Sequence, residues 1–166
     1  RNVLPMGGRT AGEKIIELVG KIGEKLEILS LESLKGEQVV PYVHAGSKLG
    51  VLVALENVGG ADVDAAGKDV AIQIAAMRPI ALNADEVPEA TKLKELEIGM
   101  DQARQEGKPE AMLEKIAQGK LKKFFKETTL LEQAFVKDPK VSVTQYLDGI
   151  NKGLTVSAFK RVSVGE

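Results

Sequence analysis

A chain of 166 residues can form one good-sized domain or two small lobes, and 43% hydrophobic with 28% charged residues is the balance of a soluble globular fold. A formal net charge of -1 supplies no global field for nucleic acid or an anionic membrane, and no apolar run approaches the ~18 residues of a membrane-spanning helix. With no cysteine, the chain has no disulfide, no thiolate zinc site and no cysteine nucleophile, a composition compatible with the cytoplasm.

The first residue is Arg1, so a fragment or a processed chain is expected. Residues 1–9 read as an irregular lead-in punctuated by Pro5, Gly7 and Gly8. Thr10 and Glu13 have the spacing of a capping box, and Ile15, Leu18, Val19 and Ile22 recur at helical spacing, with Gly23 as the stop. Lys25 to Glu32 is expected to be a strand, with Leu26, Ile28 and Ser30 on one face and Leu29 and Leu31 on the other. Gly36 marks the next break.

The stretch around which the remainder is organised is PYVHAGSKLGVLVALE, residues 41–56. Val39–Val43 enters and Leu49–Leu55 leaves a short link, Ala45-Gly46-Ser47, which is a hairpin signal with Gly46 free to adopt a positive φ. A helix over 62–77 should follow, capped by Asp62 or Asp64, lined by Ala66, Val70, Ile74 and Met77, and ended by Pro79.

Residues 85–126 have a different texture. Leu93, Leu96, Met100 and Ala103 form a narrow apolar seam, Gly107-Lys108-Pro109 a sharp turn, and Met112 or Leu113, Ile116 and Phe124 a second seam. Two helices joined so tightly should lie antiparallel, as a hairpin projecting from the sheet. Leu130–Val136 then reads as an extended apolar segment, Asp138-Pro139 as a turn and Val141 to Leu147 as a short helix broken by Gly153. In the final stretch Val156, Ala158, Val162 and Val164 alternate with Thr155, Ser157, Arg161 and Ser163, as in a strand pairing back onto the hairpin to close an α+β domain.

Little in these residues suggests covalent chemistry. His44 is the single histidine, and base, metal ligand, partner contact and plain surface residue all remain open for it. Without a second histidine or a cysteine, zinc is disfavoured, and no metal or other cofactor is expected. Gly46-Ser47-Lys48-Leu49-Gly50 lacks the phosphate-loop spacing, and a strand rather than a helix follows it. Lys120-Leu121-Lys122-Lys123-Phe124-Phe125-Lys126 could meet an acidic partner or RNA, but lysines also suit a helix C-terminus and the phenylalanines a core. Taken this far, the residues describe a binding protein with no direct nucleic-acid or membrane partner, or a structural adaptor that dimerises or binds through its helical hairpin.

Several segments resemble the elongation factor Ts family, in that family's order. They are Leu18-Val19-Gly20-Lys21-Ile22-Gly23-Glu24, HAGSKLGVLVALE from His44, DVAIQIAAMRP from Asp69, EGKPEAMLEKIAQGKLKKFFKETTLLEQAFVKDP from Glu106, and Arg161-Val162-Ser163-Val164-Gly165-Glu166. The resemblance implies a non-enzymatic nucleotide-exchange factor of the cytoplasm that binds the translation GTPase elongation factor Tu, with the family's dimerisation-domain fold and an inserted helical hairpin. It implies that residues 1–36 end a first core subdomain, that 37–84 and 127–166 form the second, and that 85–126 are the insert, through which a homodimer could also form. Partner contacts are implied at Ile22 and Gly23, at His44, and at Val136 and Lys137, with lysine at the last position where the family pattern leads one to expect an apolar side chain. The family's Leu-Arg-x-x-Thr and Thr-Asp-Phe-Val signatures do not occur in these residues, nor does any Asp-Phe pair, which implies binding with weakened exchange.

Overall fold

In a computed structural model, the structure describes residues 5, 6, 8–46 and 48–165. The chain forms two compact units, residues 1–33 and 34–166.

In the first unit, β1 (Pro5–Met6) pairs antiparallel with β2 (Arg9–Thr10), so the lead-in is not wholly irregular. Helix α1 (Ala11–Ile22) starts on the expected capping box: the Glu13 N–H donates to the Thr10 hydroxyl at 3.2 Å, and the Thr10 N–H donates to the Glu13 carboxylate at 2.7 Å. Gly23 ends it in the left-handed region, φ 77°, with its N–H donating to the Val19 carbonyl. The strand expected from Lys25 to Glu32 does not form. That stretch carries no regular structure, and Leu29 is 87% exposed. Alternation gives a segment a strand-like pattern, but a strand exists only by pairing, and none of the described residues pairs with this one.

The second unit is built on a three-stranded antiparallel sheet in the order β3 (Gln38–Val43), β4 (Leu49–Glu56), β7 (Thr155–Ser163). Helix α2 (Asp64–Met77) lies on β3 and β4. Its start is held by the Asp62 carboxylate, which accepts from the Asp64 N–H at 3.2 Å. The approach to the sheet is close because residue 67 is glycine: a Cβ there would come within 2.4 Å of a Val40 methyl. Val70 and Ile74 are fully buried, as expected, but Met77 is 46% exposed, so the inward face of α2 ends one turn earlier than its spacing suggested.

A short 3₁₀ turn (Ala84–Glu86) leads into α3 (Glu89–Gln105) and α4 (Glu110–Thr128), which pack chiefly on each other. The seam between them is the expected one in part: Ala103 and Leu113 are buried as expected, while other positions differ. Leu93 is 59% exposed, and the buried positions are Gly99 and Ala103 against Leu113 and Ala117. A Cβ on Gly99 would stand 3.1 Å from the Ala117 Cα, so small residues let the two backbones approach where large ones would hold them apart. At the base, the chain entering and the chain leaving are tied by backbone bonds: Ile80 N–H to the Thr128 carbonyl, Leu130 N–H to Ala81 and Leu131 N–H to Leu82, each 2.9 Å.

Leu130–Val136 is not a continuous extended segment. Leu130 to Glu132 form a turn, and only β5 (Ala134–Phe135) is strand, pairing with β6 (Asp138–Ser142). The turn expected at Asp138-Pro139 therefore falls two residues earlier, at Val136-Lys137. Helix α5 spans Val143–Ile150 rather than 141–147, because Ser142 caps it in a second capping box with Gln145. Strand β7 pairs with β4 as expected, but a register shift between Ala54 and Leu55 leaves Ser157 without an opposite partner. That bulge reverses the alternation beyond it: Phe159 turns to the core, while Val162 and Val164 face outward. The core joins Val51, Val53 and Leu55 of β4, Val70 and Ile74 of α2, Val143 and Leu147 of α5, Val156 of β7, and Leu130 and Phe135. The result is an α+β domain: a three-stranded antiparallel sheet packed with helices, carrying an antiparallel helical hairpin.

Candidate functional site

The residues singled out from sequence fall in three places. Ile22 and Gly23 end α1 in the first unit, where Ile22 is exposed. One turn earlier Glu17 takes ion pairs from Lys21 and Lys14, and the Lys21 hydrogen bond, with that of Lys14, holds its carboxyl down at about 2.

His44 follows β3 at the tip of the sheet hairpin. The His44 N–H donates to the Leu49 carbonyl at 2.9 Å and closes the strand pair; Gly46, at φ 88°, carries the chain round, and Ser47 lies outside the described residues. The core-facing column of β3 is Gln38, Val40, Tyr42, matched by Leu55, Val53 and Val51 across the pair. His44 continues that column past the end of the core, exposed, with its Nδ1 2.9 Å from the Tyr42 hydroxyl. No group of three histidine, aspartate or glutamate side chains that could hold a metal occurs among the described residues.

Val136 and Lys137 form the two-residue turn between β5 and β6, and the chain holds this turn from below. Gln73 of α2 is fully buried; its Oε1 accepts from the Val136 N–H at 2.7 Å, and its amide nitrogen donates to Gln133 Oε1 at 3.0 Å and to the Ala134 carbonyl at 3.1 Å. Gln133 in turn donates to the Glu127 carbonyl at 2.9 Å. Buried amides satisfied on every side fix a backbone more firmly than contact alone, because any slip leaves polar groups dry and unpaired. Lys137 does not point away from the protein: its ammonium pairs with Asp69 Oδ1, one helical turn before Gln73. The other carboxylate oxygen accepts from the Tyr146 hydroxyl at 2.8 Å. Tyr146 stacks on Phe135, ring centroids 4.0 Å apart, and burial followed by the Asp69 hydrogen bond pushes its hydroxyl up to about 12.

Sequence reasoning missed Asp69, Gln73, Gln133 and Tyr146. Gln73 did leave a signal: it is the single polar residue in the run Val70-Ala71-Ile72-Gln73-Ile74-Ala75-Ala76-Met77, on a helix face with no water to satisfy it. What the turn presents outward is Val136, 42% exposed, beside a lysine whose charge is already met. Such a surface can bind a partner; nothing in it is arranged to move a proton or attack a bond.

The family model described as Elongation factor TS matches residues 2–166. The chain is 61% identical over 164 residues to Elongation factor Ts of Cytophaga hutchinsonii, covering 98% of this chain and 59% of that protein. It is 56% identical over 162 residues to Elongation factor Ts of Amoebophilus asiaticus, covering 98% and 58%, and 45% identical over 164 residues to that of Aromatoleum aromaticum, covering 98% and 53%. The chain thus spans somewhat under three-fifths of the length of these relatives.

Proposed function

The chain belongs to the elongation factor Ts family, and from that premise we propose that it binds the GTPase elongation factor Tu and promotes release of GDP so that GTP can rebind. The observation that carries the reading is the family match over residues 2–166, and the firmly held, outward-facing turn at Val136-Lys137 supports it. The exchange mechanism is thermodynamic. A factor that binds the nucleotide-free GTPase more tightly than the GDP-bound form must weaken GDP by the same ratio, so no covalent step and no cofactor is required of it. The protein acts as an exchange factor rather than an enzyme, in the cytoplasm, without direct contact to nucleic acid or membrane.

Ile22, Gly23, His44, Val136 and Lys137 are the contact residues of this reading. Residues 1–36 close a first core subdomain, 37–84 and 127–166 make the second, and 85–126 are its inserted hairpin; in support, the main apolar cluster draws on no residue between 83 and 129. Titration of immobilised chain with elongation factor Tu, with and without GDP, tests the proposal. Binding should be tighter without nucleotide, and stopped-flow release of a fluorescent GDP should speed up as the chain is added. Equal affinity in both states would overturn the exchange reading and leave an adaptor.

A further inference from the structure

Two side-chain amides run in series beneath the Val136-Lys137 turn, and each end of the series is a backbone group. The Val136 N–H donates to Gln73 Oε1 at 2.7 Å, Gln73 Nε2 donates to Gln133 Oε1 at 3.0 Å, and Gln133 Nε2 donates to the Glu127 carbonyl at 2.9 Å. Glu127 stands in the last turn of α4, the returning helix of the hairpin. Every donor points the same way, from the turn towards α4. A backbone N–H can only donate and a backbone carbonyl can only accept, so the two ends fix which way round both amides lie, and a flip of either would set like against like. The carbonyl that receives the last bond belongs to the negative end of a 19-residue helix, and bonds in series polarise one another. The Gln133 main chain is itself held on both sides, its N–H donating to the Thr129 carbonyl and its carbonyl accepting from the Val143 N–H, each at 3.0 Å. Strand pairing gives the turn less: β5 has two residues, and its register with β6 shifts between Ala134 and Phe135.

We infer that Gln133 is a positioning residue for partner binding: through Gln73 it sets the Val136-Lys137 turn against the last turn of α4, so that the base of the helical hairpin and the proposed contact turn keep one fixed relation. This role rests on the reading that Val136 meets elongation factor Tu. Gln133 is 1% exposed and cannot reach a partner itself, so any effect it has on binding passes through the turn.

Titration of the full chain with nucleotide-free elongation factor Tu tests this as a double-mutant cycle. Gln133→Met keeps the length of the side chain and removes both of its hydrogen bonds, and affinity should fall roughly tenfold. Val136→Ala should weaken binding by itself, and adding Gln133→Met in that background should cost less than about twofold further, because the side chain being positioned is gone. A loss of the same size in both backgrounds would make Gln133 a structural residue only, and no loss in either would leave it without a role in binding; each overturns the inference alone. Glu127→Gly loosens the other end of the series at an exposed position, outside the core. Amide exchange at Val136 should then quicken about fivefold while His44 keeps its rate. An unchanged rate at Val136 would overturn the inference even if Gln133→Met did not fold. A parent chain that does not bind overturns the functional reading together with the inference resting on it. A parent that binds beside an indifferent Val136→Ala removes the turn from the interface, and the inference with it.

Discussion

Two turns of the second unit carry proposed contact residues, and they are held in opposite ways. The turn at His44 is self-contained: its own strand pair closes it, Gly46 reverses it, and the nearest side-chain partner, Tyr42, is two residues away. The turn at Val136-Lys137 has only two residues of paired strand on its leading side and takes its position from α2 and α5, through Gln73, Asp69 and Tyr146. A local turn survives changes elsewhere in the fold, whereas one tied down by Gln73 and Asp69, 63 and 68 positions away along the chain, inherits every disturbance of them. The same distinction separates what each side chain is for, since a side chain that holds a turn is felt in folding and one that the turn merely displays is felt only in binding.

The largest effect should come from breaking the remote support. Gln73→Leu leaves the Val136 N–H, the Ala134 carbonyl and Gln133 Oε1 without their partner inside the core, and should cost about 3 kcal/mol in urea denaturation. Amide exchange at Val136 should quicken in that variant while exchange at His44, whose N–H bonds Leu49, keeps its rate; equal acceleration at both would remove the distinction between the turns. Next, Gly46→Ala forces a left-handed φ of 88° on a residue with a Cβ and should cost about 1 kcal/mol, felt at the sheet hairpin and not at Val136.

A pH series sharpens the remote side. The Tyr146 hydroxyl titrates higher in the folded protein, at about 12, than its ordinary 10.0, so between those values the folded state holds a proton that the unfolded state has given up. This contribution is fully present below pH 10 and is lost as pH rises towards 12. Urea midpoints should therefore decline through that window, and Tyr146→Phe should flatten the decline. The smallest effect on folding is expected at His44. His44→Ala should move stability by no more than about 0.5 kcal/mol while it weakens binding to elongation factor Tu, chiefly through faster dissociation. A strong drop in midpoint with affinity unchanged would make His44 a structural residue.

The same contrast between local and remote causes explains what could be read from the chain. Thr10 with Glu13, the link around Gly46, and Gly107-Lys108-Pro109 act within a few residues of themselves, and each was legible. Ser142 with Gln145 has the same spacing as the first capping box and would have placed α5 correctly. The seam of α3 and α4 was legible at Ala103 and Leu113, but Leu93 misled because large apolar residues draw the eye, and the close packing of the two backbones also needs Gly99 and Ala117. Lys25 to Glu32 carried a strand's pattern without a partner to pair with among the described residues. Asp69 and Tyr146 could not be read at all, since 77 positions separate them and only the fold brings them within 2.8 Å. The proposed contact turn was thus named by resemblance, while what holds it became visible only in three dimensions.

The bulge at Ser157 makes β7 a strand that counts. Its two halves are out of phase by one residue, and that single unpaired position is what lets Val156 and Phe159, three apart, share the core side. Strand β7 therefore tolerates exchange of side-chain types far better than a change of length. Ser157 itself is the exception: deleting it would remove the bulge and restore strict alternation with Phe159, then two residues after Val156, still opposite Val53, whereas deleting Lys160 would exchange the faces of Arg161 and Val162. A frame error of one unit beyond the bulge, harmless in a loop, would here be written into every side chain from that point to the end of the strand.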